Sequence, residues 1–135
     1  MKKVMYYIIS WTWGLPMTLM GAVVALVLLV TGHKPQHFYY NTYFEVGEHW
    51  GGLEAGMFFF KEKNKSLHIK QHEAGHGIQN LILGPFMPII VSIPSAIRYW
   101  YRIIKIRHNP NCVLPPYDSI WFEGWATKLG EKYFK

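Results

Sequence analysis

At 135 residues the chain has room for one domain, and its lone cysteine, Cys112, excludes an internal disulfide framework. A net charge of +6 would suit nucleic acid, but the basic residues are scattered or sit beside tryptophan and tyrosine, and no nucleic-acid motif is present. Half of the residues are hydrophobic and 17% are aromatic, a composition that fits a membrane-associated protein.

After Met1-Lys2-Lys3 an uncharged run covers residues 4–30, longer than the roughly 20 apolar residues that cross a bilayer. Trp11, Trp13, Gly14 and Pro16 interrupt it, so the expectation is one transmembrane helix over 4–30 with a kink. A cleaved signal peptide is the competing reading, but Thr31-Gly32-His33-Lys34 is a poor cleavage site and the segment reads as an uncleaved anchor. Lys2 and Lys3 before it, against Lys34 alone close behind, lean towards a cytoplasmic N-terminus and an exported remainder.

Residues 32–43, polar and aromatic with Pro35, read as a linker. The aromatic content and glycine punctuation of 43–47 and 50–60 predict one or two short strands, among them one near 53–60. Residues 61–65, Lys-Glu-Lys-Asn-Lys, read as a solvated charged turn.

Ser66 is placed to cap a helix over 66–83 that stops at Gly84-Pro85. This helix carries His72-Glu73-Ala74-Gly75-His76, a match to H-E-x-x-H. Helical positions four apart lie one above the other, so His72 and His76 point the same way and can share one metal ion. Glu73 is rotated to one side, within reach of a water held there. Zinc with three protein ligands and one open position acidifies its water towards pKa ~7, and a neighbouring carboxylate then serves as the base. Gly75 and Gly77 each cost a helix about 1 kcal/mol relative to alanine, which makes sense if another backbone packs closely against this face. An ordinary buried helix with hydrogen-bonded histidines is the bland alternative.

Residues 78–97 have the length of a second membrane crossing, but Gly84, Pro85, Pro88 and Pro94 argue against a straight helix. Residues 95–107 are predicted helical, with Arg98, Arg102 and Lys105 along one side and aromatic residues around the rest. Such a helix suits either the headgroup region of a membrane or an ordinary basic surface. Asn109 to Pro116 form a rigid proline-rich loop, and Asp118 or Ser119 is placed to cap a last helix running to Tyr133.

A third ligand must come from downstream, where His108, Asp118, Glu123 and Glu131 are the candidates. Glu123 lies mid-helix with Ala126, Thr127 and Gly130 on roughly its own side. That small-residue face matches Ala74, Gly75 and Gly77, and two helices packed through them would bring Glu123 to His72 and His76. A second crossing over 78–97 would put the two halves of this site on opposite sides of the membrane, so the segment 86–93 is expected to pack in the core or dip into the interface. Tyr117 and His108 are the candidates for stabilising an oxyanion.

His72-Glu73-x-x-His76 followed by Glu123-x-x-Ala126 resembles the gluzincin pattern, in which a glutamate on a second helix is the third zinc ligand. Membrane-bound gluzincins, including the CAAX prenyl proteases and the HtpX-like heat-shock proteases, follow E-x-x-A with aspartate; here Thr127 stands in that place. The longer string, with Gln79 completing H-E-x-G-H-x-x-Q, is similar to small uncharacterised bacterial membrane proteins over roughly residues 51–130. The resemblance implies a mainly α fold with a short β-strand or hairpin flanking the cleft, built as a transmembrane anchor over 1–31 and a minimal zincin-like metallopeptidase domain over 32–135. It implies zinc (Zn2+) held by His72, His76 and Glu123, Glu73 as catalytic base, a peptide or protein substrate, and residence in a bacterial inner membrane in contact with lipid.

Two other classes stay open. An intramembrane site-two-like protease takes its third ligand from an aspartate in an N-P-D-G-like motif, where this chain has Asn109-Pro110-Asn111. A catalytically inactive scaffold or accessory protein would keep the fold without the reaction. Haem is disfavoured, since histidines four apart on one helix cannot occupy opposite haem faces.

Overall fold

Proline decides the first bend. The structure, a computed structural model, describes residues 3–48, 50–63 and 66–134; Lys2 of the charge comparison and Asn64 and Lys65 of the charged turn lie outside them. The uncharged N-terminal run forms two helices, α1 (Lys3–Ser10) and α2 (Leu15–Val30), at 92° to each other, rather than one kinked helix over 4–30. Pro16 lies in the first turn of α2, where its missing N–H costs nothing, and it biases Leu15 away from continuing α1. Among the described residues no single helix is long and apolar enough to cross a membrane.

The expected linker is part of a sheet. β1 (Gln36–Phe38) and β2 (Asn41–Glu45) form a hairpin, and β3 (Gly52–Ala55) and β4 (Phe58–Lys61) form a second. β2 and β4 pair in parallel, so the order is β1-β2-β4-β3 and β3 is an edge strand. Period-two alternation divides this sheet between two cores. Tyr43 and Phe59, stacked at 4.8 Å, join Tyr6, Ala74, Ile78 and Phe134. Phe44 and Phe60 join Met17, Ala25, Met87, Val91 and Phe122. Residues of α1 and α2 therefore belong to the same cores as the rest of the chain. Lys61, expected in a solvated turn, is fully buried and donates to Glu45 Oε2 at 2.9 Å. A buried ammonium persists only when so paired.

Helix α3 (Leu67–Leu83) starts where Ser66 Oγ accepts from the Ile69 N–H at 3.3 Å and ends at Gly84, whose φ of 56° suits a residue without a side chain. A 3-10 turn (Gly84–Phe86) and one π turn (Pro88–Ser92) lead into α4 (Ile93–His108), and the chain bends by 116° at this break. No straight helix passes the prolines. Met87 and Val91 pack inwards while Phe86, Ile89, Ile90 and Ile93 are exposed, so the segment 86–93 splits between core and surface.

A 3-10 turn (Tyr117–Ser119) precedes α5 (Trp121–Tyr133). Neither Asp118 nor Ser119 caps this helix; Ile120 holds the cap position, without a side-chain bond. α3 and α5 cross with their backbones in contact, because a Cβ on Gly75 would overlap the Ala126 carbonyl and one on Gly130 would overlap that of Gln71. Gly77, expected on the same face, points instead at the Tyr6 hydroxyl and Asn41.

Candidate metal centre

The crossing of α3 and α5 places Glu123 over one face of α3. His72 Nε2 lies 3.3 Å from Glu123 Oε2, and His76 Nε2 lies 3.3 Å from Glu123 Oε1. The three side chains are buried, and one potential ligand atom from each lies within 4.8 Å of the others. Ligands bound at about 2.0–2.1 Å to a tetrahedral ion sit about 3.4 Å apart. This group could therefore hold a metal ion.

The outer nitrogens are also accounted for. The Gln79 Nε2 amide donates to the Phe122 carbonyl at 2.8 Å, so its Oε1 is the end that accepts from His76 Nδ1 at 2.6 Å. Thr127 donates its hydroxyl to Asp118 Oδ2 at 2.5 Å and accepts from His72 Nδ1 at 2.8 Å. Both imidazoles thus carry a proton on Nδ1 and turn Nε2 towards Glu123, where a bound metal ion would take the place of the Nε2 proton. Asp118, expected as a helix cap, ends a relay to His72 and lies 3.5 Å from His68 Nε2. Thr127 and Asp118 thus stand in series behind His72. Replacing Asp118 by Asn or Thr127 by Val is expected to weaken metal binding by about 10–100-fold. Thr127→Asp in the Asp118→Asn background should restore it. Titration against a coloured chelator measures both, and unchanged affinity in the single variants would remove the relay.

Charges in the site follow from burial and these bonds. Burial alone would raise the Glu123 carboxyl, but hydrogen bonds from His72 and His76 hold it well below the usual range; Ser95 Oγ adds a donor to Oε1 at 2.9 Å. Burial would lower His76, yet its bond to Glu123 and the nearby Glu73 charge hold it at about 9. Glu73 is pushed up by burial, with His72 and His76 opposing. Its carboxylate lies against Gly52 of β3, where a side chain would leave it little space. Glu54, beside it on β3 and read from sequence only as a strand residue, is also pushed up by burial, and its Oε1 has no hydrogen-bond partner among the described residues.

Two cavities flank this centre, of about 410 Å³ and about 710 Å³, and Glu73, Gly52 and Tyr117 line both. Burial and the Glu123 charge push the Tyr117 phenol well up, which keeps it a hydrogen-bond donor. The guanidinium groups of Arg98 and Arg102 sit over its ring at 4.9 and 5.4 Å and donate to the carbonyls of Pro116 and Pro115. These two arginines tie down the proline loop, while Lys105 and Arg107 are exposed. His108, Asn109, Pro110 and Asn111 are exposed at and beyond the end of α4, and Glu131 is exposed near the end of α5. Ser95 and Glu54 were not singled out as site residues, whereas Gln79 stood only as the last residue of H-E-x-G-H-x-x-Q and Asp118 only as a candidate ligand or helix cap. Gln79 alone carried a local signal, three residues after His76 on the same helix face. Comparison of the chain with protein-family models, with curated proteins and with solved structures gives no match.

Proposed function

We propose that this chain is a membrane-associated zinc metallopeptidase of the gluzincin type, with His72, His76 and Glu123 as zinc ligands and Glu73 as general base. The observation that carries the reading is the pair of 3.3 Å separations from Glu123 to two imidazoles whose other nitrogens are already bonded. Two imidazoles and one carboxylate are a known catalytic zinc donor set that leaves a position open. When bound, zinc polarises a substrate carbonyl and acidifies the attacking water.

Glu73 takes the proton of that water and returns it to the leaving amine. The Tyr117 phenol, lining both cavities, donates to the oxygen on which negative charge develops. β3 is the edge strand of the sheet and borders the cleft at Gly52, Leu53 and Glu54, so a peptide can lie along it there as an added strand. Metal content and peptide hydrolysis of the ligand and base variants test this function.

Membrane attachment is supported by the exposed apolar residues of α1 and α2, among them Val4, Ile8, Leu19, Val23, Leu26 and Val30, and by Ile97, Trp100 and Ile104 on α4. Two bent helix pairs, α1 with α2 and Leu67–Phe86 with Pro88–His108, have the length and composition of a broken span. The protein is expected to stay with membranes through high-salt and alkaline-carbonate washes. Recovery in the wash would overturn the attachment.

A further inference from the structure

Glu54 stands beside the candidate centre and takes no part in the zinc chemistry. It is 6% exposed, and its Oε1 has no hydrogen-bond partner among the described residues. An unpaired carboxylate is costly to bury, and such a group in a folded protein calls for an explanation. Among the described residues, His72, His76 and Glu123 form the one group of three metal-ligating side chains that could share an ion, and Glu54 stands outside it. No lysine or arginine among the described residues borders the larger cavity, whereas Glu54, Glu73 and Glu123 all do. With the imidazoles neutral, these three carboxylates and one divalent ion leave a single negative charge. One positive charge brought by a ligand balances it.

The place of Glu54 on β3 says which cation fits. Gly52 and Glu54 share one face of the strand, and Gly52 lies against the Glu73 carboxylate, so Glu54 follows the proposed base along β3. The Gly51 carbonyl turns to the neighbouring strand side and accepts from the Glu62 N–H at 2.8 Å. By alternation Gly52 and Glu54 present their backbone groups to the outer edge. That edge closes two residues later. Gly56 is buried, a Cβ on it would overlap the backbone of Thr18 in α2, and its carbonyl faces Gly77 of α3. A peptide paired with β3 therefore runs out of room at Glu54, and its end lies beside a carboxylate.

We infer that Glu54 receives the free α-amine of the substrate, so that the centre removes residues from the amino terminus of peptides. The inference rests on the zinc reading. The substrate then runs antiparallel to β3, with its amine at Glu54 and the scissile carbonyl back towards Glu73 and the metal ligands. Water is the only co-reactant. The scissile C–N bond breaks, the released residue gains a carboxylate, and the shortened peptide gains a new amine that can enter in turn. A lysine side chain carries the same charge on a longer stem, and the test separates the two sources.

Hydroxamates hold zinc through their headgroup, so matched pairs read the amine separately from turnover. The full-length, zinc-loaded protein is titrated with leucine hydroxamate and with 4-methylpentanohydroxamate, which lacks only the amine. Glycyl-leucine hydroxamate and its N-acetyl form make a second pair, one residue longer. In at least one pair the free amine is expected to tighten binding about 10–100-fold, the worth of hydrogen bonds to a charged group. Glu54→Gln, which keeps the shape of the side chain, should abolish that preference by weakening the free-amine compounds alone. Zinc content, read by elemental analysis, checks that the variant is folded, and the comparison within the parent protein stands whether or not it is. A gain for Nα-acetyl-lysine hydroxamate alone assigns Glu54 to a lysine side chain and overturns the amino-terminal reading. No gain in either pair, or an equal gain in Glu54→Gln, overturns the amine site while leaving the metal centre intact. Failure of 4-methylpentanohydroxamate to bind overturns the zinc reading and the amine site with it.

Discussion

A Glu73→Gln chain is expected to hold zinc as tightly as the parent and to cleave peptides about 10²–10⁴-fold more slowly, the usual contribution of a positioned acid–base group. Glutamine keeps the shape of the side chain against Gly52 but cannot take up a proton. The ligands behave differently. His72→Ala, His76→Ala or Glu123→Ala should each remove more affinity than the 10–100-fold typical of an outer partner. Glu123→Ala also leaves both buried imidazoles without their carboxylate partner, whereas either histidine variant removes one of its two contacts. Elemental analysis after dialysis gives zinc per chain, and a quenched fluorescent peptide library rich in apolar residues reports cleavage. Full activity in Glu73→Gln would sink the proposed base. Full zinc content in Glu123→Ala would sink the proposed ligand set.

Gly75→Ala and Gly130→Ala are expected to destabilise the fold by about 3 kcal/mol each, the upper end of the range for overpacking. Alanine in a helix normally gains about 1 kcal/mol over glycine, so the sign discriminates between a propensity effect and a packing effect. At both positions the new methyl meets a main-chain carbonyl of the facing helix rather than a movable side chain. Relief requires α3 and α5 to separate, and separation carries Glu123 away from His72 and His76. Zinc content should therefore fall together with the unfolding midpoint in denaturant. A stabilised Gly75→Ala protein would show that the helices do not cross at this point.

The same crossing explains how much of the site could be read in advance. The spacing of His72 and His76, the Ser66 cap and the stop at Gly84-Pro85 are local, set by helical periodicity and turn chemistry. Small residues on 74–75 and 126–130 made Glu123 the favoured third ligand, because close helix packing selects them wherever it occurs. Gly77 carried the same signal for a different neighbour, since a small residue marks a close approach but not what approaches. The place of Asp118 behind Thr127 was hidden for a related reason. An aspartate shortly before a helix usually caps it, and only the turn Tyr117–Ser119 swings this one towards Thr127 and His72.

Composition and short-range pattern thus determined the helix of the candidate metal centre, its boundaries, the two histidines and their adjacent glutamate, and the apolar character of the N-terminal run. Tertiary structure alone decided that this run, whose interruption near Pro16 was legible in advance, shares both cores with the sheet, that residues 36–38 form a strand, and that Lys61 is buried on Glu45. It also decided that Asp118 stands behind Thr127 and that α2 walls a cavity beside His76 and Glu123. The physical reason is common to all of these. Helix periodicity and capping are settled within a few residues, whereas strand partners, buried ion pairs and cavity walls depend on groups far apart in sequence, whose contacts form only once the cores close.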